Sequence, residues 1–243
     1  MKKLFAALLV SLILFSTPVW AKEKTIACPL PKPSEGAASV QGQIDIKNSP
    51  YFQHPDFFIL RSTSTLTLLP EFQTYQQTSE FSCGAASALM VLNYLGYTAA
   101  HENQLETLGK MRPYIGMNTK NLVNMFTKLG FATASSLTNP TPQNYEEFKK
   151  FTTRYLQANL PVMVENIDWG GHWRVIIGYD TMGTETLLDD VLILADPYDT
   201  ADHQQDGYVI NNATKFFDMW FDAHMLPHGQ QNKQWIVVYP KRQ

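Results

Sequence analysis

The feature that most constrains the fold is residues 83–95, which start at Cys83 and are apolar on nearly every side of a helix. Residues 84–95 read Gly-Ala-Ala-Ser-Ala-Leu-Met-Val-Leu-Asn-Tyr-Leu, and Gly96 supplies a stop signal. A helix without a polar face runs through a core rather than over it. We therefore predict a buried helix that begins at Cys83, with the other elements packed around it.

The rest of the chain changes from a helical to a strand-like period. Four more helices are predicted. Three cover residues 102–111, 145–157 and 213–223, and the fourth begins after a cap at Asn118 or Thr119 and ends at Gly130. One or two strands are predicted within 51–72, from the apolar runs 57–60 and 66–69, and further strands at 160–167, 173–179, 191–195, 208–210 and 234–239. Helices first and strands later indicate an α+β domain.

The N-terminal residues have the pattern of an export signal. Lys2 and Lys3 precede an apolar run, 4–15, that is too short to span a bilayer, and small residues near Ala21 form a cleavage site. A membrane anchor is the alternative. Residues 22–50, rich in Pro, Ser, Gly and Lys, are predicted to be an extended arm or pro-segment before a domain at 51–243. This predicts a periplasmic or secreted protein.

Charge narrows the possible partners. Removal of residues 1–21 takes away two lysines and no acidic residue, so the net charge changes from −3 to −5. An acidic chain argues against a nucleic-acid binder, which usually carries a basic face. No second apolar stretch is long enough to cross a bilayer, so no stable membrane insertion is expected after signal cleavage. The sequence does not predict the oligomeric state.

Four side chains together suggest thiol chemistry. Cys83 stands at a helix N-terminus, which favours a thiolate, and Gln77 can offer a side-chain N–H to an oxyanion. His172 begins a strand after two glycines, and Asp196 ends another strand. Nucleophile, base and orienting group thus occur in an order that a thiol hydrolase can use.

Each of these residues also has a structural interpretation. Cys83 can be a small buried thiol, His172 a structural histidine, and Asp196 a turn residue before proline. Gln77 can be a polar loop residue. Asp180 competes with Asp196 but lies about 26 Å of strand from His172.

Residues beside the nucleophile and base are candidates for substrate binding. Gly84 would allow a substrate close to the helix end, and Gly171 adjoins the histidine. Trp169 and Trp173 flank the histidine and would line a peptide groove, with a core role as the alternative.

No cofactor or metal is predicted. The acidic residues of 196–206 do not match a calcium loop, and a zinc site from Cys83, His172 and an aspartate lacks paired ligand spacing.

The quoted residues resemble a known family. Gln77, Cys83-Gly-Ala-Ala, Gly-His172-Trp-Arg-Val-Ile-Ile-Gly-Tyr and Leu-Ala-Asp196-Pro are similar to the double-glycine leader peptidase-like family of papain-like cysteine peptidases. That family is best known as the processing domain of bacteriocin exporters, and the resemblance covers roughly residues 70–240. It implies a papain-like fold, with a buried cysteine-bearing helix on an antiparallel sheet, and a peptide or protein substrate.

The resemblance also implies the roles of the site residues: Cys83 as nucleophile, His172 as base, Asp196 as orienting group and Gln77 in the oxyanion hole. In contrast to those exporters, we predict no transporter domain within these residues and predict an export signal instead. Two alternatives remain open. One is an acyl- or γ-glutamyl-transferring enzyme, from a more distant similarity to phytochelatin synthases.

The other alternative is a non-catalytic peptide-binding module with the same fold. In that case Cys28 and Cys83, the two cysteines of an exported chain, would form a permanent disulfide. In an intermediate version, Cys28 on the arm would mask Cys83 reversibly under oxidising conditions.

Overall fold

The computed structural model describes residues 54–200 and 205–241. In these ranges the helices are α1 (Cys83–Tyr94), α2 (Glu102–Gly109), α3 (Thr119–Lys128), α4 (Tyr145–Gln157) and α5 (Ala213–Asp218). The strands are β1 (Leu66–Leu68), β2 (Ala132–Ser135), β3 (Val162–Asn166), β4 (His172–Asp180), β5 (Val191–Ala195), β6 (Tyr208–Asn212) and β7 (Gln234–Tyr239). The predicted signal peptide and arm lie outside the described residues and stay predictions.

Helix α1 is the central helix that the composition predicts. Its first ten residues are buried, and it ends at Tyr94, with Leu95 as its C-cap and Gly96 following in a left-handed conformation with φ of 82°. The helix packs on the sheet through β4, where the Ser87 hydroxyl donates to the main-chain oxygen of Trp173 at 2.9 Å. This packing places the first residue of α1 near the end of the sheet at which β4 begins.

The strands form one antiparallel sheet in the order β2-β7-β3-β4-β5-β6. The first half of β4 pairs with β3, its second half pairs with β1, and β5 pairs along its other side. Because β4 and β5 are antiparallel, the start of β4 lies beside the end of β5. His172, at the start of β4, and Asp196, just after β5, therefore lie at the same end of these two neighbouring strands.

Three elements differ from the sequence-based expectations. The helix predicted over 213–223 ends at Asp218, because the N–H groups of Asp222 and Ala223 bond to Gln231 and Gly170 instead of continuing the helix. Residues 57–60 form a turn rather than a strand, with two N–H groups donating to the Asp56 carbonyl. The short edge strand β2 was not predicted.

The architecture confirms the predicted α+β class, in which a buried helix carrying the cysteine packs on an antiparallel sheet. Among the residues that the structure describes, no helix has the length and apolar character needed to cross a membrane.

Candidate active site

A cleft of about 320 Å³ opens at the edge of the sheet where α1 begins. Gln77, Cys83 and His172 line this cleft together with Gly171. Four aromatic side chains and one carboxylate stand on its remaining wall, which consists of Glu80, Phe81, Tyr114, Ile115, Gly116, Trp169, Tyr198 and Met225. Residues that are far apart in sequence thus share one concave surface.

Cys83 is the first residue of α1 and carries a free thiol that is 8% exposed. The backbone N–H groups of a first helical turn have no partners within the helix. The thiol therefore lies at the positive end of a twelve-residue helix, next to N–H groups that can face a ligand. Cys28 lies outside the described residues, so its pairing with Cys83 stays a prediction.

His172 and Asp196 form a buried hydrogen-bonded pair. The imidazole Nε2 lies 2.7 Å from Asp196 Oδ1, and both side chains are less than a tenth exposed. A carboxylate on Nε2 leaves Nδ1 as the ring nitrogen for Cys83, with which the imidazole also interacts. Asp196 Oδ1 accepts a second bond, from the N–H of Tyr198 at 2.8 Å.

The environment of His172 and Asp196 favours the charged form of both side chains. Burial opposes the charged form of His172, but the charge and hydrogen bond of Asp196, with smaller contributions from Cys83, raise its pKa to about 9. Burial likewise opposes ionisation of Asp196, yet His172, Arg174 and the Tyr198 N–H lower its pKa to about 2. At neutral pH the site therefore holds an imidazolium beside a carboxylate.

Arg174 is a site residue that the sequence analysis missed. Its buried guanidinium donates to Asp196 Oδ2 at 3.4 Å and to Asn166 Oδ1 at 2.9 Å, and it pairs with Asp168. Arg174 follows His172 by two positions in β4, so both side chains lie on the same face of the sheet. The two-residue spacing from His172 was the sequence signal that could have identified Arg174 as a site residue.

Gln77 is buried against the same cleft. Its Nε2 donates one hydrogen bond to the carbonyl of Ser79 at 2.7 Å, which leaves a second amide hydrogen on the same nitrogen. Its backbone N–H donates to the carbonyl of Pro197 at 2.8 Å. The amide is thus fixed in orientation and retains a donor.

Two of the four predicted substrate-binding residues line the cleft. Trp169 is 72% exposed, adopts a left-handed conformation with φ of 58°, and lies 5.6 Å from the Tyr198 ring, measured between centroids. Gly171 forms the wall next to His172. A Cβ at Gly171 would lie 2.6 Å from Asp222 Oδ2 and 2.9 Å from Glu165 Oε1, so a larger residue would fit there only if these carboxyl groups shifted.

The other two differ from the expectation, because they pack in the core beneath the cleft. Trp173 is 2% exposed, and its indole N–H donates to the Met117 carbonyl at 2.8 Å. Successive strand residues point to opposite faces, so Trp173 points away from the face of His172. A Cβ at Gly84 would meet Met117 and Trp173 at 3.4 Å rather than a substrate.

Within residues 54–200 and 205–241, no three His, Cys, Asp or Glu side chains are grouped as metal ligands would be. The chemistry that the site offers is that of a thiol, an imidazolium, a carboxylate and amide donors.

Three solved structures are similar to this chain at low identity. The peptidase domain of Streptococcus ComA, a bifunctional ABC transporter, is 19% identical, with 70% of this chain and 99% of that chain covered and a TM-score of 0.48. A double-glycine motif protease from an AMS/PCAT transporter, in complex with the leader peptide, is 18% identical, with coverages of 74% and 96% and a TM-score of 0.46. The Streptococcus mutans ComA peptidase domain is 17% identical, with coverages of 69% and 98% and a TM-score of 0.40.

Similarity at this level does not assign the chain to one branch of such enzymes. No curated protein matches the sequence. A family model does: that of the papain-like cysteine protease AvrRpt2 matches residues 63–212, more than half of the 243 residues. The matched range contains Gln77, Cys83, His172 and Asp196. The chain therefore belongs to this family of papain-like cysteine proteases and is a cysteine peptidase.

Proposed function

We propose that this cysteine peptidase is exported and hydrolyses a peptide bond through an acyl-enzyme on Cys83. His172 serves as general base and acid, Asp196 orients it, and Gln77 donates to the oxyanion. The observation that carries the proposal is the buried 2.7 Å bond between His172 Nε2 and Asp196 Oδ1, on an imidazole that also interacts with Cys83.

The first step is attack by the thiolate. His172 holds the thiol proton on Nδ1, and the Cys83 sulfur forms a bond to the carbonyl carbon of the scissile peptide. The Asp196 carboxylate stabilises the imidazolium and holds the ring in one orientation through Nε2. Attack moves an electron pair onto the carbonyl oxygen.

The oxyanion that results needs donors at fixed positions. The backbone N–H of Cys83 has no helical acceptor, and the second amide hydrogen of Gln77 is not used by Ser79. Donors that are already oriented cost no reorganisation when charge develops. Both belong to residues that line the cleft.

Collapse of this intermediate breaks the C–N bond. The Nδ1 proton of His172 passes to the leaving amine, and the acyl group stays on Cys83 as a thioester. A water molecule then attacks the thioester while His172 takes its proton. Collapse of this second intermediate breaks the C–S bond and releases the acid, which restores the thiolate beside the imidazolium that now holds the proton from water.

The proposed substrate is a peptide or protein segment in extended form. The exposed Trp169 and the neighbouring Tyr198 provide an aromatic rim over the cleft, which suits contact with peptide side chains. The proposed site of action is the periplasm or the exterior of the cell, because residues 1–21 have the pattern of a cleaved signal.

Covalent labelling tests the mechanism. The mature chain, residues 22–243, is treated under reducing conditions with a peptidyl acyloxymethyl ketone, and the modified residue is mapped by mass spectrometry. We expect labelling on Cys83, its loss in Cys83→Ala, and strong slowing in His172→Gln. The exposed Glu185→Gln serves as a matched control and should label at the wild-type rate.

Labelling that persists in Cys83→Ala, with both variants folded by circular dichroism, would exclude Cys83 as the nucleophile. The role of Cys28 is tested with the same probe. Cys28→Ser should label equally with and without reductant. A wild-type protein in which Cys83 is quantitatively bridged to Cys28, and which stays inert after reduction, would favour the binding-module alternative.

Export is tested by expressing the full chain in a bacterium and determining the N-terminus of the protein from the periplasm or medium. We expect cleavage after Ala21, so that Lys22 becomes the first residue. Retention of residues 1–21 on a cell-associated protein would contradict the export proposal and leave the thiol mechanism intact.

A further inference from the structure

Two buried carboxyl groups converge under the cleft wall, and the catalytic steps above use neither. Glu165 lies in β3 and is 1% exposed, and Asp222 follows α5 and is 3% exposed. We call Glu165 and Asp222 the acidic pair. One oxygen from each lies within 3 Å of the point where a Cβ of Gly171 would be.

The carboxyl groups of the acidic pair accept few hydrogen bonds from the described part of the protein. Asp222 Oδ1 accepts from the N–H of Leu226 at 2.9 Å. Asp222 Oδ2 and both carboxyl oxygens of Glu165 have no hydrogen-bond partner in the described part of the chain. Buried carboxyl groups are normally paired, because loss of their hydration is costly. Burial, then Asp222 and Cys83, raise the pKa of Glu165 to about 10.

The acidic pair adjoins the cleft on two sides. Gly171, whose missing Cβ would lie within 3 Å of both carboxyl groups, lines the cleft beside His172. Met225 also lines the cleft and is 40% exposed, and the next residue, Leu226, bonds to Asp222. Met225 is an unbranched side chain with three rotatable bonds, which can adopt another rotamer without a change in the backbone.

The charge of the cleft favours a cationic ligand. No lysine or arginine is among the residues that line it, whereas Glu80 stands on its wall and the acidic pair lies behind Gly171. A lysine ammonium or an arginine guanidinium carries several N–H donors and a positive charge. Such a group would satisfy the three carboxyl oxygens that lack partners.

We propose that the acidic pair is the floor of a subsite that receives a lysine or arginine side chain of the substrate, close to the scissile bond, when Met225 turns aside. This inference rests on the proposed function, since it assigns a substrate class to the same cleft. Glu165 gives up its proton to solvent as the cation enters, so that its negative charge faces the positive charge of the bound side chain. Specificity then depends on charge recognition next to Gly171.

The test uses a set of peptidyl acyloxymethyl ketones in which each position in turn carries lysine, arginine, glutamine or norleucine. At one position we expect the basic probes to label Cys83 about tenfold faster than norleucine, as a buried charged contact would give. Glu165→Gln should reduce this ratio to about one and leave the norleucine rate within about threefold. Glu185→Gln removes the same charge from the surface and should keep the ratio.

Asp222→Asn should lower the same labelling ratio. It serves as the test of the inference if the Glu165→Gln protein does not fold. Equal labelling by basic and norleucine probes at every position would overturn the inference. So would an equal loss with all probes in Glu165→Gln, which indicates a structural role for the carboxyl group.

Absence of labelling by any probe would count against the proposed function, and the inference is then decided by binding. Calorimetry with Cys83→Ala protein and the corresponding unreactive peptides should show tighter binding of the lysine peptide than of the norleucine peptide. Equal affinities would overturn the inference independently of catalysis.

Discussion

Gln76 donates a hydrogen bond from Nε2 to the main-chain oxygen of Asp196 at 2.9 Å, although 120 residues separate the two. The Oε1 of Gln76 accepts from the Asp199 N–H at 3.0 Å, and the N–H of Gln77 bonds to Pro197. The segment that leads to Cys83 and the loop that carries Asp196 are thus joined directly. Asp196, the proposed orienting group, and Gln77 are therefore held in one hydrogen-bonded unit.

Asp196→Asn should move the alkaline limb of the pH–activity profile to lower pH. The asparagine oxygen can still accept from His172 Nε2, but it lacks the charge that helps raise the His172 pKa to about 9. In the proposed mechanism the imidazolium supplies the proton for the leaving amine, so a lower pKa of His172 means that this proton is lost earlier as pH rises. We expect a shift of about 1–3 pH units in the limb of kcat/KM.

Asp180→Asn is the matched control, because Asp180 lies at the far end of β4 and bonds to the N–H of Met182. Its alkaline limb should stay in place. An unchanged limb in Asp196→Asn, or an equal shift in Asp180→Asn, would contradict the assigned role of Asp196.

Arg174→Met should destabilise the fold by about 3–5 kcal/mol, because it leaves the buried Asp196 and Asn166 groups without their shared donor. Arg174→Lys should recover only part of this loss, since one ammonium cannot span the partners of a planar guanidinium. Urea unfolding measures both variants.

Arg61→Met provides the comparison, because the exposed pair of Arg61 with Glu71 should contribute at most about 1 kcal/mol. Similar losses at Arg61 and Arg174 would show that the buried network does not stabilise the protein.

Gly171→Ala and Gly84→Ala should have opposite effects on stability. A methyl group at Gly171 would be forced against Asp222 and Glu165, and we expect a loss of about 1–3 kcal/mol. At Gly84 the new methyl would make ordinary contacts at 3.4 Å inside α1, and alanine favours a helix over glycine by about 1 kcal/mol. Thermal unfolding of the two variants decides this, and a stable Gly171→Ala protein would argue against the close packing described above.

Gln77→Ala should lower kcat by about 10²–10³-fold with little change in KM, because the proposed role of the lost amide donor is to stabilise the oxyanion rather than to bind the substrate. Steady-state kinetics with a fluorogenic peptide separates the two constants. A change confined to KM would place Gln77 in substrate binding instead.

The sequence predicts this fold well where a pattern is local. Helix α1 follows from an uninterrupted apolar run after Cys83, and the start of α3 follows from Asn118, whose side chain accepts from the Asn121 N–H. His172 and Asp196 could be assigned to strand ends, and an antiparallel β4–β5 pair brings those ends together.

The sequence does not predict contacts that depend on tertiary packing. Asp222 lies where α5 was expected to continue, and its place beside Glu165 follows from hydrogen bonds of its neighbourhood to Gln231 and Gly170. The opposite orientation of Trp173, in contrast, follows from the two-residue period of a strand, which was not applied to that residue. The two-residue period of a strand thus predicts the direction of its side chains as well as the presence of the strand.

Strand β7 has a consequence for the order of synthesis. Among the strands of the described residues it is the last to be synthesised, yet it lies between β2 and β3, and β3 in turn pairs with the strand that begins with His172. A nascent chain therefore displays its cysteine helix long before the sheet beside it can close. A chain interrupted before residue 234 lacks this internal strand, so the peptidase should gain its cleft only once synthesis has passed that point.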